Sequence, residues 1–96
     1  MPINARTTTA SYDACRLNKP DAVSFTVQVA NQTCVYQLNV PTFGNGETWM
    51  PTEGANLVPG LWTFDPSDWA EYGVEKAQGI RFKAVDPADP AVVTVS

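Results

Sequence analysis

The sequence predicts an all-β protein, a small antiparallel β-sandwich or jelly-roll-like barrel with one short helix. Three observations support this fold class. Apolar and polar residues alternate along several short segments, β-branched and aromatic residues dominate those segments, and glycine or proline separates them. We count six or seven such segments, and their close spacing is typical of a sandwich or a small barrel.

The clearest alternation lies in two neighbouring segments, 22–29 and 33–40. Their apolar positions recur every second residue, which places them on one face of a strand: Val23, Phe25, Val27 and Val29, then Cys34, Tyr36, Leu38 and Val40. Only Ala30, Asn31 and Gln32 separate the segments, so we predict that the two strands pair as a half-buried hairpin. The Asn31-Gln32-Thr33 triplet matches a glycosylation motif, but we interpret it as the hairpin turn.

The first twenty residues give a weaker signal. Residues 1–10 are short, polar and threonine-rich, and they form either an edge strand or an extended arm that contacts a neighbouring molecule. If they form an arm, deleting residues 1–10 leaves the monomer folded and weakens its assembly. Residues 11–20 have no clear period.

Four later segments complete the predicted strands. Residues 47–50 form a short strand that Pro51 ends, and residues 52–56 form a loop. A Pro59-Gly60 turn then leads into an extended apolar run at 61–64. The last two strands are 78–85, with Arg81 and Lys83 pointing outward, and 91–95.

One stretch predicts a short helix, residues 65–73. Asp65 can cap the first amide groups, Pro66 suits the first helical position, and Gly73 suits the residue after the last turn. Trp69 and Tyr72 are three residues apart, so both can face the sheet. About two turns of helix are too short to persist without tertiary contacts.

Composition limits the classes of function. The 96 residues form a single domain (1–96), large enough to bury one core. A net charge of −4 and only six basic residues argue against binding to nucleic acid, because affinity for phosphate comes from clustered Lys and Arg. No segment approaches the roughly 18 apolar residues that cross a membrane, and Met1–Arg6 lack the apolar core of a secretory signal. We therefore expect no membrane association and synthesis in the cytoplasm.

The two cysteines leave two alternatives. Cys15 and Cys34 could form a disulfide, but two free thiols are favoured in a reducing cytosol. Cys34 lies on the apolar face of its predicted strand, where a thiol behaves as a small buried hydrophobe.

The sequence predicts no catalytic, cofactor-binding or metal-ligating residue, and no cofactor. Histidine is absent, which removes the commonest general base and metal ligand. Six carboxylates between residues 47 and 75 could supply acid–base chemistry or a calcium site, but capping, the helix dipole and solubility account for them: Glu47, Glu53, Asp65, Asp68, Glu71 and Glu75. Four aromatic residues could line a ligand surface, although we expect them mainly in the core: Phe43, Trp49, Trp62 and Trp69.

The arrangement of these segments resembles small β-rich virion structural proteins of tailed bacteriophages, of the head-decoration or cementing type. The residues that carry the resemblance span about 22–95 and comprise Val27–Tyr36, the Val58-Pro59-Gly60 turn, Gly79–Phe82 and the closing strand Ala91–Val95. No functional residue can be transferred from this resemblance.

The resemblance implies a non-enzymatic capsid decoration or cement subunit, made in the host cytoplasm and located in the virion. Its partners would be the major capsid protein or other virion proteins, and it would form a homo-oligomer, with a trimer as the favoured state. A carbohydrate- or receptor-binding β module of a tail fibre or spike is the alternative. In that alternative the aromatic and acidic residues between positions 47 and 72 form the ligand surface, and full burial of all three tryptophans would remove its main support.

Overall fold

The computed structural model describes residues 4–16, 24–40, 48–74 and 77–96, and these residues form an all-β fold, as the sequence predicts. Its strands are β1 (Asn4–Thr7), β2 (Asp13–Arg16), β3 (Phe25–Ala30), β4 (Cys34–Asn39), β5 (Trp49–Leu57), β6 (Gly60–Phe64), β7 (Gly79–Ala84) and β8 (Val92–Val95). They make two four-stranded sheets in which the recorded strand pairs are all antiparallel. Sheet A has the order β1-β8-β3-β6, and sheet B has the order β2-β7-β4-β5.

The predicted hairpin of β3 and β4 is wrong, although the predicted apolar positions that the structure describes do pack in the core. Val23 lies outside the described residues, and Gln37, at a predicted polar position of β4, is also buried. Phe25, Val27 and Val29 of β3 are buried, but β3 pairs with β6 and β8 in sheet A. β4 pairs with β5 and β7 in sheet B. The connection at Asn31 therefore crosses from one sheet to the other. Alternation shows which face of a strand is apolar, and it is equally satisfied when the two strands face each other across a core.

β5 is longer than the sequence indicates. The predictions that Pro51 ends the strand and that residues 52–56 form a loop are wrong, because β5 continues through both to Leu57. The Met50–Pro51 peptide bond is cis. The register shifts at this point, since Tyr36 lies opposite Ala55 while Leu38 lies opposite Met50. β5 is an edge strand, and edges and bulges are where sheets accept proline.

The first part of the chain belongs to both sheets. Asn4–Thr7 form the edge strand that was one of the two alternatives, and they pair with β8 from Asn4 opposite Val95 to Thr7 opposite Val92. Thr8 is buried, and its amide and hydroxyl groups both donate to the Ala91 carbonyl oxygen at 2.9 Å. Residues 13–16, which show no period in the sequence, form β2 at the edge of sheet B.

The core lies between the two sheets. The predicted strands at 78–85 and 91–95 are present as β7 and β8, and their inward positions are buried: Ile80, Phe82, Ala84, Val93 and Val95. Aromatic rings fill the region beside β3 and β6. Phe25 stacks on Phe64 at 5.1 Å between ring centroids, and the buried Trp69 stacks on the Phe25 ring at 6.2 Å.

The predicted helix consists of two 3-10 turns, Pro66–Asp68 and Ala70–Tyr72. Asp65 caps the first turn by accepting a hydrogen bond from the Ser67 amide group, and the Asp68 side chain accepts from the Asp65 amide group. Gly73 ends the second turn in the left-handed conformation. Because each turn is only three residues long, its position depends on the burial of Trp69 in the core.

Candidate interaction surfaces

The tryptophans singled out in the sequence do not form one ligand surface. Trp69 is buried in the core. Trp62 lies on β6 of sheet A and is 38% exposed, whereas Trp49 is half-buried at the start of β5 in sheet B. Phe43 lies outside the described residues. Two of the three tryptophans are therefore only partly buried, and they lie on different sheets.

The candidate carboxylates are engaged locally or exposed. Asp65 and Asp68 form the reciprocal cap of the first 3-10 turn, which matches the capping role predicted for Asp65. Glu53 and Glu71 are exposed, and Glu47 and Glu75 lie outside the described residues. Within residues 4–16, 24–40, 48–74 and 77–96, no three or more His, Cys, Asp or Glu side chains are grouped so that they could hold a metal ion.

Cys34 is the small buried hydrophobe that the sequence predicts. Its side chain is fully buried with a free thiol, so it forms no disulfide with Cys15. Loss of hydration raises the pKa of the Cys34 thiol to about 11, which leaves it protonated at neutral pH. The side chain of Cys15 lies outside the described residues.

The first candidate surface is a strip of exposed apolar residues at the edge of sheet A. We define the β6 strip as residues 58–63. Val58 is 49% exposed, Leu61 is 72% exposed, and the Trp62 indole N–H donates to the Val58 carbonyl oxygen at 2.8 Å. That hydrogen bond holds the indole ring against the turn before β6.

The β6 strip also has backbone groups available for pairing. β6 pairs with β3 along one side, and in the described part of the chain no strand pairs with its other side. Residues 54–64 contain no charged side chain. A neutral, apolar edge strand is the kind of edge that pairs readily with another strand, because nothing on it repels a partner.

The second candidate surface lies on the outer face of sheet B. We define the Arg81 cluster as Tyr12, Gln37, Trp49, Arg81 and Lys83. The guanidinium carbon of Arg81 lies 4.4 Å from the ring centroids of both Tyr12 and Trp49, and the Lys83 ammonium nitrogen lies 4.9 Å from the Tyr12 centroid. The Tyr12 ring therefore contacts two cations, and the Trp49 ring contacts Arg81.

Gln37 fixes the position of the Arg81 side chain. Its Nε2 donates to the carbonyl oxygens of Pro51 and Thr52 at 2.8 and 3.0 Å, so the amide is anchored to the irregular part of β5. Its Oε1 accepts from Nε of Arg81 at 2.8 Å and also from Nη2. Gln37 itself is buried, which makes this a rigid support for the guanidinium group.

Gly54 leaves room for Tyr12 in this cluster. A Cβ atom on Gly54 would lie 2.4 Å from Cγ1 of Val35 and 2.7 Å from the hydroxyl oxygen of Tyr12. Gly54 also has a positive φ of 75°, which favours glycine. The bulged part of β5 thus allows the Tyr12 hydroxyl group to approach the sheet closely.

The cations of the Arg81 cluster are not neutralised by the described part of the chain. Arg81 and Lys83 form no ion pair there, whereas Arg6 pairs with Asp13 at 3.0 Å. The partner that fixes Arg81 is a neutral amide, and no carboxylate within the described ranges pairs with the guanidinium group. A small positive area therefore lies on a chain whose net charge is −4.

Sequence reasoning identified only part of the Arg81 cluster. The outward direction of Arg81 and Lys83 is predicted from the alternation in β7 and is confirmed by the strand's burial pattern. Tyr12 and Gln37 were missed. Gln37 occupies a polar position of an alternating strand, and no local signal places it opposite Arg81.

The chain matches no protein-family model, no curated protein and no solved structure. None of the helices in the described ranges is long and apolar enough to span a membrane. The two surfaces above are therefore interpreted from their own geometry.

Proposed function

We propose that this chain is a structural assembly subunit that forms a homo-oligomer through the β6 strip. The single observation that carries the proposal is the exposed, uncharged edge of β6, with Leu61 72% exposed. An added strand would bind the backbone groups of that edge by antiparallel or parallel pairing. Leu61 and Trp62 would lose water contact at the same time, which adds a hydrophobic contribution.

A second copy of the chain is the proposed occupant of the β6 strip. Two copies of net charge −4 repel each other. Contact through residues 54–64 reduces this repulsion, because that segment has no charged side chain. Pairing of β6 with β6 would give a twofold dimer, and pairing of β6 with a different edge of the next copy would close a ring. A ring of three copies corresponds to the trimer that the sequence resemblance favours.

The proposed setting is the virion of a bacteriophage. In that setting the chain acts as a capsid decoration or cement subunit, and its partners are the major capsid protein or other virion proteins. The support for this setting is the resemblance of residues 22–95 to such proteins, together with the all-β fold. Many weak contacts repeated by symmetry would then stabilise the shell.

The experiment is a mass measurement in solution on the purified chain and on Leu61→Lys. Light scattering coupled to size exclusion and native mass spectrometry should give a multiple of the 10.4 kDa chain mass for the wild type. Leu61→Lys places a charge on the edge strand, and we expect it to shift the population to monomer.

Val85→Lys is the matched control. Val85 is also exposed, at 53%, but it follows β7 and lies outside the β6 strip. It should retain the wild-type mass. A wild-type chain that is monomeric across the accessible concentration range, or an oligomer that both variants disrupt equally, would contradict the proposal.

A further inference from the structure

We propose that the Arg81 cluster is a second binding site, which docks a carboxylate group on the acidic surface of a partner protein. This site lies on the outer face of sheet B, whereas the β6 strip is the edge of sheet A. The inference therefore goes beyond self-association and does not depend on it.

The donor groups of Arg81 match a carboxylate. A guanidinium group has five N–H donors, and Gln37 accepts from Nε and from Nη2. Nη1 and the remaining N–H of Nη2 form no hydrogen bond with the described part of the chain. These two nitrogens form a planar fork whose spacing fits the two oxygens of a carboxylate.

The side chains around Arg81 hold this fork in one position. The rings of Tyr12 and Trp49 flank the guanidinium carbon, and the buried Gln37 amide fixes its opposite edge. Little conformational entropy is then lost when a ligand binds, because the side chain is already ordered. Gln37 is neutral and so does not offset the charge of Arg81, and Lys83 adds a second positive charge nearby.

A protein surface is the occupant that these observations favour. Arg, Trp and Tyr are the residue types that contribute most often to the energetic centres of protein–protein interfaces. Three of the five members of the Arg81 cluster are of these types. Arg81 and Lys83 form no ion pair with the residues that the structure describes, and their charges are complementary to Asp and Glu side chains on a partner.

The experiment is a titration of the full ¹⁵N-labelled chain, followed by nuclear magnetic resonance at constant ionic strength. The probe is an acetylated and amidated hexaglutamate peptide, and hexaglutamine is the uncharged control. We expect hexaglutamate to shift the side-chain N–H signals of Arg81 and Trp49 in a saturable manner. Hexaglutamine should leave both signals in place.

Substitutions assign the effect to the fork. Arg81→Gln should weaken hexaglutamate binding by about tenfold or more, since hydrogen bonds to charged groups are strong. Arg6→Gln removes an arginine that is already paired with Asp13, and it should change the affinity by less than about twofold. Leu61→Lys lies outside the cluster and should retain binding, which separates this site from the β6 strip.

Arg81→Lys keeps the charge but removes the fork, and it tests the inference if Arg81→Gln does not fold. It should also bind about tenfold more weakly than the wild type, since one ammonium group cannot replace a bidentate contact. Wild-type affinity in Arg81→Lys would overturn the inference. So would equal shifts with hexaglutamine, or tighter binding of the single sugar acid galacturonate than of hexaglutamate, which would indicate a small-molecule site.

Discussion

Gly54 and Gly73 have the same backbone conformation in different surroundings. Their φ angles are +75° and +76°, in the region that favours glycine. No atom lies within 4 Å of a Cβ built on Gly73, whereas a Cβ on Gly54 would contact Val35 and Tyr12 at 2.4 and 2.7 Å. The two positions therefore separate the cost of backbone conformation from the cost of crowding.

We expect Gly73→Ala to lower the free energy of unfolding by about 1 kcal/mol, which is the backbone cost alone. Gly54→Ala should lower it by about 1–3 kcal/mol more, because Val35 and Tyr12 must move. Chemical denaturation monitored by circular dichroism would measure both changes. Equal losses in the two variants would show that the contacts with Val35 and Tyr12 are not crowded.

The Cys34 thiol predicts a loss of stability at alkaline pH. Burial raises the pKa of Cys34 from 9.0 to about 11, so the folded chain holds this proton when the unfolded chain has lost it. The contribution of the thiol is complete below pH 9 and is lost as the pH rises from about 9 to about 11. The largest loss is about 3 kcal/mol.

Denaturation of the wild type and of Cys34→Ala across this pH range would measure that contribution. The difference in the free energy of unfolding between the two chains should be constant below pH 9 and should shrink above it. A difference that stays constant up to pH 11 would contradict a buried, protonated thiol at position 34.

At the scale of elements, the connection between β3 and β4 decides which sheet each strand joins. Asn31 has a positive φ of 77°, and its side-chain amide donates to Oδ1 of Asp89 and to the Pro90 carbonyl oxygen, both at 2.8 Å. Gln32 adds a contact from its side chain to Oδ2 of Asp89 at 3.3 Å. This connection is therefore attached to the loop that precedes β8.

Substitution of Asn31 can separate its two roles. Asn31→Gly keeps the positive φ and removes the hydrogen bonds to Asp89 and Pro90, and we expect a loss of about 1 kcal/mol in the free energy of unfolding. Asn31→Ala removes the hydrogen bonds and also disfavours the positive φ, so we expect its free energy of unfolding to fall by about 1 kcal/mol more than that of Asn31→Gly. If urea denaturation gives the same stability for both variants, backbone conformation contributes nothing at this position.

The same elements show how far the sequence could predict the fold and the surfaces. Alternation identified the buried apolar residues of β3, β4 and β7, because burial on one face is a local property of a strand, but it did not identify the buried Gln37. It could not identify partners, since the hydrogen bonds of β3 run to strands 30 or more residues away in sequence. The Arg81 cluster was missed for the same reason, as Tyr12, Gln37 and Trp49 come from three separate segments.

At the scale of the whole molecule, the two ends of the described chain meet in sheet A. β8 lies between β1 and β3, so it is a central strand that the first strand completes. Val93 and Val95 of β8 are buried. Thr8 is buried as well, and its hydroxyl group donates to the carbonyl oxygen of Ala91, just before β8. Residues 4–7 thus complete sheet A beside the buried strand β8, and Thr8 is buried next to them.

Deletion of residues 1–8 should therefore destabilise the monomer, in contrast to the expectation for an arm. We expect the free energy of unfolding to fall by about 2 kcal/mol or more, because the hydrogen bonds of β1 are lost and one edge of β8 is exposed. Guanidinium denaturation of the truncated chain would measure the loss. An unchanged midpoint and slope would mean that β1 contributes nothing to the folded monomer.

The pairing of β1 with β8 also determines how the molecule responds to mechanical load. Asn4 lies opposite Val95, so a force that pulls the two termini apart acts on the outermost pair of this antiparallel ladder. The bonds then break one after another, as in a zipper, and each needs only a small force. An attachment that pulls along the direction of the strands would load all the bonds of the ladder together and would meet far greater resistance.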